Sequence, residues 1–283
     1  MRPTKKSFTS WALPLSVVVI VGVIATAATD TNYRTAQPEI LDASNRSQTS
    51  IRFSAASPVS QKMIISSVVN IWCPDNISNK ATGGSGTIWT SKGLILTNAH
   101  IIPQDRKQNP TVSHCMVTLP NSNGGIKDIY EGEPIIIPDL SKKYDLAFIR
   151  ITGPYTDSYG VDHGPFPSVF PDYPDFGCLD TVVTLSEPVT VFGYPEISDN
   201  GNSLTITTGS ASALPGDGTI VTSAKVTHGD SGGLAVDENG CMIGVPSMVS
   251  ADEAESLGII KSYNEVDRFI QESQKVLDSP GSP

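Results

Sequence analysis

Beyond residue 63 the chain is a succession of short apolar runs, each cut off by Gly, Asn, Asp or Pro. In the first half they fall at residues 64–72, 86–90, 94–97, 116–119 and 146–151. In the second half they fall at 181–185, 189–192, 204–208, 219–223, 234–236 and 242–245. Turn-forming clusters such as Ser91-Lys92-Gly93 and Asn121-Ser122-Asn123-Gly124-Gly125 stand between them. Runs this short, rich in Ile, Val, Leu and Thr and bounded by turn residues, predict the strands of an all-β sandwich or barrel. No alternation of strand with helix is visible, which argues against a doubly wound parallel sheet.

One helix is expected, at the C-terminal end. Ser262 followed by Glu265 has the spacing of a capping box, in which each side chain satisfies the other residue's backbone N–H. Val266, Phe269 and Ile270 then share one face, with Val276 and Leu277 further along, a stripe suited to packing on the strands. The folded domain is expected over residues 61–277, with a disordered tail at 278–283. Residues 29–60 are polar, rich in Ser, Thr and Ala and without sustained period, and read as a flexible linker. A long loop at 153–177 carries five prolines among Tyr and Phe residues. Loops of this length are often functional, but packing its aromatics onto the domain is the favoured reading over contact with a substrate.

The N-terminus carries a targeting pattern. Arg2, Lys5 and Lys6 precede an uncharged, mostly apolar run at 11–28, and Ala25-Thr26-Ala27 offers a small-residue cleavage site. This is the layout of a secretory signal peptide. The run is also just long enough to cross a hydrocarbon core of about 30 Å, so a cleaved signal and a retained membrane anchor both fit. Either places the remainder outside the cytoplasm. The formal net charge of −10, with no basic cluster in the expected domain, argues against nucleic acid as a partner. Cys73, Cys115, Cys178 and Cys241 form no C-x-x-C pair, so neither a zinc site nor a thioredoxin-type redox site is supported. An even number in an oxidising compartment suits two disulfides, whose connectivity the sequence leaves open. One bridge in each half, Cys73–Cys115 and Cys178–Cys241, is the expected arrangement, with buried free thiols as the alternative.

The sharpest chemical signal is His228-Gly229-Asp230-Ser231-Gly232-Gly233. A serine hydroxyl is a weak nucleophile that needs a positioned base and donors for the oxyanion its attack creates. Small residues around Ser231 allow a tight turn in which the N–H groups of Gly229 and Ser231 converge on one point. Thr97-Asn98-Ala99-His100, directly after an apolar run, supplies a base at the end of a strand. Tyr144-Asp145-Leu146-Ala147 supplies a carboxylate at the entry to another, where an unpaired charge would be costly. Such an acid orients the imidazole and stabilises its cation.

These three motifs, TNAH, DLA and GDSGG in this order, resemble the trypsin-like serine peptidases. Gly84-Ser85-Gly86-Thr87-Ile88 followed by GLILTNAHI is similar, more narrowly, to the bacterial HtrA/Deg-like branch. The resemblance implies two six-stranded antiparallel β-barrels of the chymotrypsin-like type, with His100, Asp145 and Ser231 in the cleft between them and Gly229 and Ser231 as the oxyanion hole. It implies that Gly244-Val245-Pro246-Ser247 lines the substrate site, with Ser247 bonded to Asp145. Lys225 falls at the pocket floor, which suits an acidic substrate side chain, whereas Val249 at the pocket mouth suits a small one. Val226 and His228 complete the expected substrate-binding set. Departures are visible too. No cysteine follows His100, no I-V-G-G-like segment precedes the domain, and Asp230 stands where the HtrA-like branch usually has Asn. No PDZ-like domain is expected after the barrels.

The reading is therefore an extracytoplasmic serine endopeptidase acting on polypeptides through an acyl-enzyme, without metal or organic cofactor and with its oligomeric state open. Two alternatives remain: a silent or gated binding module that retains the fold, and an esterase. The His–Asp–Ser order argues against the latter, because α/β-hydrolases run Ser–Asp–His.

Overall fold

Alternation along the strands decides the architecture. The computed structural model describes residues 59–75, 80–173, 182–247 and 257–277. It contains strands β1 (Val68–Asp75), β2 (Lys80–Ile88), β3 (Leu94–Thr97), β4 (Cys115–Pro120), β5 (Ile126–Ile135) and β6 (Ala147–Pro154) in the first half. The second half contains β7 (Pro188–Gly193), β8 (Thr205–Ala213), β9 (Thr219–Thr222), β10 (Leu234–Val236), β11 (Met242–Ser247) and β12 (Gly258–Ser262). Two closed antiparallel barrels result, ordered β1-β2-β3-β6-β5-β4 and β10-β11-β12-β9-β8-β7.

Successive side chains on a strand face opposite sides, and here both sides find a core. In the first barrel Val69, Ile71, Ile95, Val117 and Ile149 fill the interior. Their neighbours Val68, Leu94, Leu96 and Phe148 face outward into a second core shared with Leu234, Val236, Met242 and Val245 of the other barrel. Leu94, Ile95 and Leu96 of β3 are all buried for this reason, and they read as an apolar run. The second barrel is filled by Val189, Val191, Ala235, Ile243 and Ile260. Gly86 faces the first barrel's interior at a point where a Cβ would stand 2.5 Å from Ile95 and 2.7 Å from Ile71. Cys73 and Cys115 join β1 to β4 in a disulfide.

Helix α1 (Gln61–Ser67) leads into β1, a short α2 (Leu140–Tyr144) leads into β6, and α3 (Tyr263–Leu277) follows β12. Val266, Phe269 and Ile270 of α3 are buried in the shared core, where Phe269 stacks on Phe148 with centroids 5.2 Å apart.

Several sequence expectations are corrected. Residues 64–67 form the end of α1 rather than the start of a strand. The Ser66 and Ser67 hydroxyls donate to the Met63 and Ile64 carbonyls, one turn back. Residues 182–185 form no strand: Val182 and Leu185 are 77% and 61% exposed, so no burial locks them into pairing. The Thr184 N–H donates to Glu187 Oε2 in a local turn instead. The capping box is also replaced. The Ser262 N–H donates to the Gly218 carbonyl at 2.9 Å, and Glu265 pairs with Arg268. Strands β5 and β12 coincide with none of the runs predicted from the sequence. The long loop is packed down in part, with Phe170 and Tyr173 buried and the Tyr173 hydroxyl donating to the Gly240 carbonyl. The export segment, nearly all of the linker, Cys178 with its expected bridge to Cys241, Val249 and the tail lie outside the described residues.

Candidate active site

Asp145 is placed by a change of backbone direction. It ends α2 in the left-handed region, φ +54°, which turns the chain sharply into β6. Its carbonyl accepts from the Ala99 N–H at 3.2 Å and from the Asn98 side chain at 2.8 Å, tying it to the turn after β3. That turn is a single 3-10 turn, Ala99–Ile101, whose Ala99 and Ile101 are buried while His100 points outward.

The Asp145 carboxylate then receives three groups. Oδ1 accepts the His100 backbone N–H at 3.1 Å, Oδ2 lies 2.9 Å from His100 Nδ1, and Oδ2 also accepts the Ser247 hydroxyl at 3.1 Å. Ser247 belongs to β11, so this contact crosses between the barrels. A carboxylate facing Nδ1 favours the tautomer with the proton on Nδ1 and leaves the Nε2 lone pair available as a base. The His100 side chain is 45% exposed, which leaves Nε2 accessible to a substrate.

The Ser231 segment is fixed mainly through its backbone. Ser85 N–H donates to the Ser231 carbonyl at 2.8 Å, and Gly232 N–H donates to the Pro246 carbonyl at 2.9 Å. The Ser85 hydroxyl donates to the Gly229 carbonyl at 2.6 Å and accepts the Tyr194 N–H at 2.8 Å. One side chain of the first barrel thus ties together two segments of the second. In the sequence Ser85 stands out only as part of a Gly-rich motif, because its partner lies 144 positions away. Gly232 packs against the β2–β3 region, where a Cβ would stand 2.2 Å from the Ser85 carbonyl and 2.9 Å from Ile101, the residue after His100.

Gly229 adopts φ +98°, and a Cβ there would stand 2.3 Å from the Tyr194 carbonyl. The His228 carbonyl accepts from the Glu196 N–H at 2.9 Å. In a planar trans peptide the C=O and N–H oppose each other, so the Gly229 N–H is directed to the other side of the loop, away from Glu196.

Asp230 lies between Gly229 and Ser231 in the chain and is 2% exposed. Burial pushes its carboxyl up to about 6, opposed by hydrogen bonds from Thr227 and by the Lys225 charge. Its Oδ2 accepts the Thr227 N–H at 2.8 Å and the Thr227 hydroxyl at 3.1 Å, closing the turn before Ser231.

The remaining expected residues are dispersed in character. Lys225 is exposed, with its carbonyl accepting the Thr207 hydroxyl at 2.7 Å. Val226 packs on β12, where a Cβ on Gly258 would come within 2.4 Å of it. His228 is exposed, and Ser247 is buried beside Asp145.

Comparison with known proteins agrees with this architecture. A family model described as the trypsin-like peptidase domain matches residues 84–245. No curated protein matches the chain. Among solved structures, the serine endoprotease from Yersinia pestis is similar, with a TM-score of 0.54 and 22% sequence identity. The match covers 77% of this chain and 69% of that one.

Proposed function

The chain belongs to the trypsin-like peptidase family, and we propose that it is an exported serine endopeptidase whose triad is His100, Asp145 and Ser231. The observation that carries this is the Asp145 carboxylate, held by His100 from the first barrel and Ser247 from the second.

In the proposed reaction Ser231 Oγ attacks a substrate carbonyl while His100 Nε2 takes its proton. The oxyanion that forms is met by the N–H groups of Gly229 and Ser231. Collapse breaks the peptide bond, and the imidazolium returns its proton to the departing amine. A water activated by His100 then hydrolyses the acyl-enzyme and restores the serine. Asp145 stays ionised throughout and stabilises the imidazolium. No step needs a metal or organic cofactor.

Export rests on Arg2, Lys5 and Lys6 ahead of the uncharged segment at 11–28, with Ala25-Thr26-Ala27 near its end. The Cys73–Cys115 bridge fits an oxidising compartment. Polypeptides outside the cytoplasm are the proposed substrates.

A fluorophosphonate probe tests the chemistry. Labelling should map to Ser231, be lost in Ser231→Ala, and be strongly slowed in His100→Ala. Well-folded protein that takes no label, or takes it at another residue, would overturn the proposal and leave a binding module as the better reading.

A further inference from the structure

A cavity of about 530 Å³ opens beside Gly229, between the β1–β2 hairpin and the segment around residues 194–202. Gly84 and Gly229 are among its lining residues. A Cβ on Gly84 would stand 3.2 Å from the Ser231 carbonyl, so the cavity begins at the nucleophile segment. Lys225, Val226 and Ser247, expected to hold the acyl half of a substrate, are not among the lining residues. A chain that seats its scissile carbonyl on Gly229, with its acyl half along β11, delivers its leaving-group residues to this opposite flank. This step rests on the proposed peptidase reading.

The walls have a specific chemistry. Trp72 is 46% exposed, and it sits across from Gly83, which offers no side chain to cover it. Tyr155 and Met116 add further aromatic and thioether surface, and Glu196, exposed, adds a carboxylate. Among the described residues, no Lys, Arg or His lines the cavity. Aromatic faces attract cations, the stems of long basic side chains pack on apolar surface, and a carboxylate completes the complementarity.

We infer that the cavity takes a basic side chain, lysine or arginine, from the leaving-group side of the scissile bond. Trp72 and Tyr155 pack the stem, and Glu196 meets the charge. The loop from β6 therefore has two uses: its distal aromatics seal the first barrel, while Tyr155 at its start forms part of the substrate site.

The test begins by locating cleavage sites in a denatured protein digest, then varies one peptide at the first and second positions after the cut. Arg and Lys should exceed Gln several-fold in kcat/KM, and exceed Glu by about tenfold or more. Glu196→Lys should reverse the Lys-over-Glu order, and Trp72→Ala should reduce the preference for Arg over Gln. Raised salt should shrink the Lys-over-Glu ratio, since the carboxylate is exposed. Fluorophosphonate labelling is run in parallel. A protein that labels at Ser231 and cleaves with equal kcat/KM across the series would overturn this inference alone. One that neither labels nor cleaves would overturn the proposed function and the inference with it.

Discussion

In the proposed site the first barrel holds His100 through a side chain, whereas the second holds the Ser231 segment mainly through main chain. In the first, the Asp145 carboxylate fixes His100 at both its backbone and its ring. In the second, Gly229 and Gly232 adopt φ of +98° and +83°, and a Cβ at either would come within 2.3 Å of a backbone carbonyl. Ser85 joins the two modes, since its N–H and hydroxyl hold the Ser231 and Gly229 carbonyls. The contrast teaches that the two halves fail differently. A side chain can be replaced with loss of chemistry and little loss of structure, whereas a glycine in a positive-φ, close-packed position cannot.

Asp145→Asn is the strongest way to break the contrast. The amide keeps the shape but not the charge, so kcat should fall about ten-thousand-fold while the unfolding midpoint moves little. A loss under tenfold would remove Asp145 from the proposed triad. Gly229→Ala should lower kcat by roughly a hundred- to a thousand-fold through displacement of the oxyanion donor. Unlike Asp145→Asn, it should also lower stability, by about 1–3 kcal/mol of backbone strain. Chemical denaturation read beside kinetics separates the two effects, and an alanine variant with unchanged stability would contradict the main-chain reading.

The disulfide sharpens the comparison from the other side. Cys73 and Cys115 are 42 positions apart, and opening a loop of that size should cost about 4 kcal/mol. The paired Cys73→Ser and Cys115→Ser variant should therefore denature at lower denaturant, yet turn over nearly normally while folded. A collapse of kcat in the folded variant would show that the first barrel is not a separable scaffold.

Asp230 gives the smallest effect, and one that depends on pH. Its carboxyl is raised from the ordinary value to about 6, so the folded state holds the proton more tightly than the unfolded state. The stabilisation from that proton is fully present below about pH 4 and is lost as pH rises through about 6. Asp230→Asn cannot titrate. The wild-type Tm minus the variant Tm should thus fall as pH rises from 4 to 7, and a flat difference would sink the reading.

What the sequence could reveal followed from the range of the forces involved. Runs such as 94–97 and 189–192 were legible as strands because burial on a pleated surface leaves an apolar signature. The motifs at His100, Asp145 and Ser231 were legible because each is local. Strand β5 escaped notice because its residues at 126–135 mix Lys, Asp, Glu, Gly and Pro, and its place comes from pairing with both β4 and β6. Strand β12 depends likewise on β9 and β11. The helix α1 was hidden by the Ile and Val residues that run on into β1. Ser85 and the cavity by Trp72 were beyond reach because both exist only where distant segments meet.

Turnover of a cleavable peptide by His100→Ala, Ser231→Ala and the double variant tests most directly whether the barrels supply two halves of one catalytic unit. Each single change should remove nearly all of the activity, and the double variant should be no slower than the slower single. Losses that multiply in the double variant, or substantial turnover by either single variant, would show that His100 and Ser231 do not act together and would contradict the proposed triad.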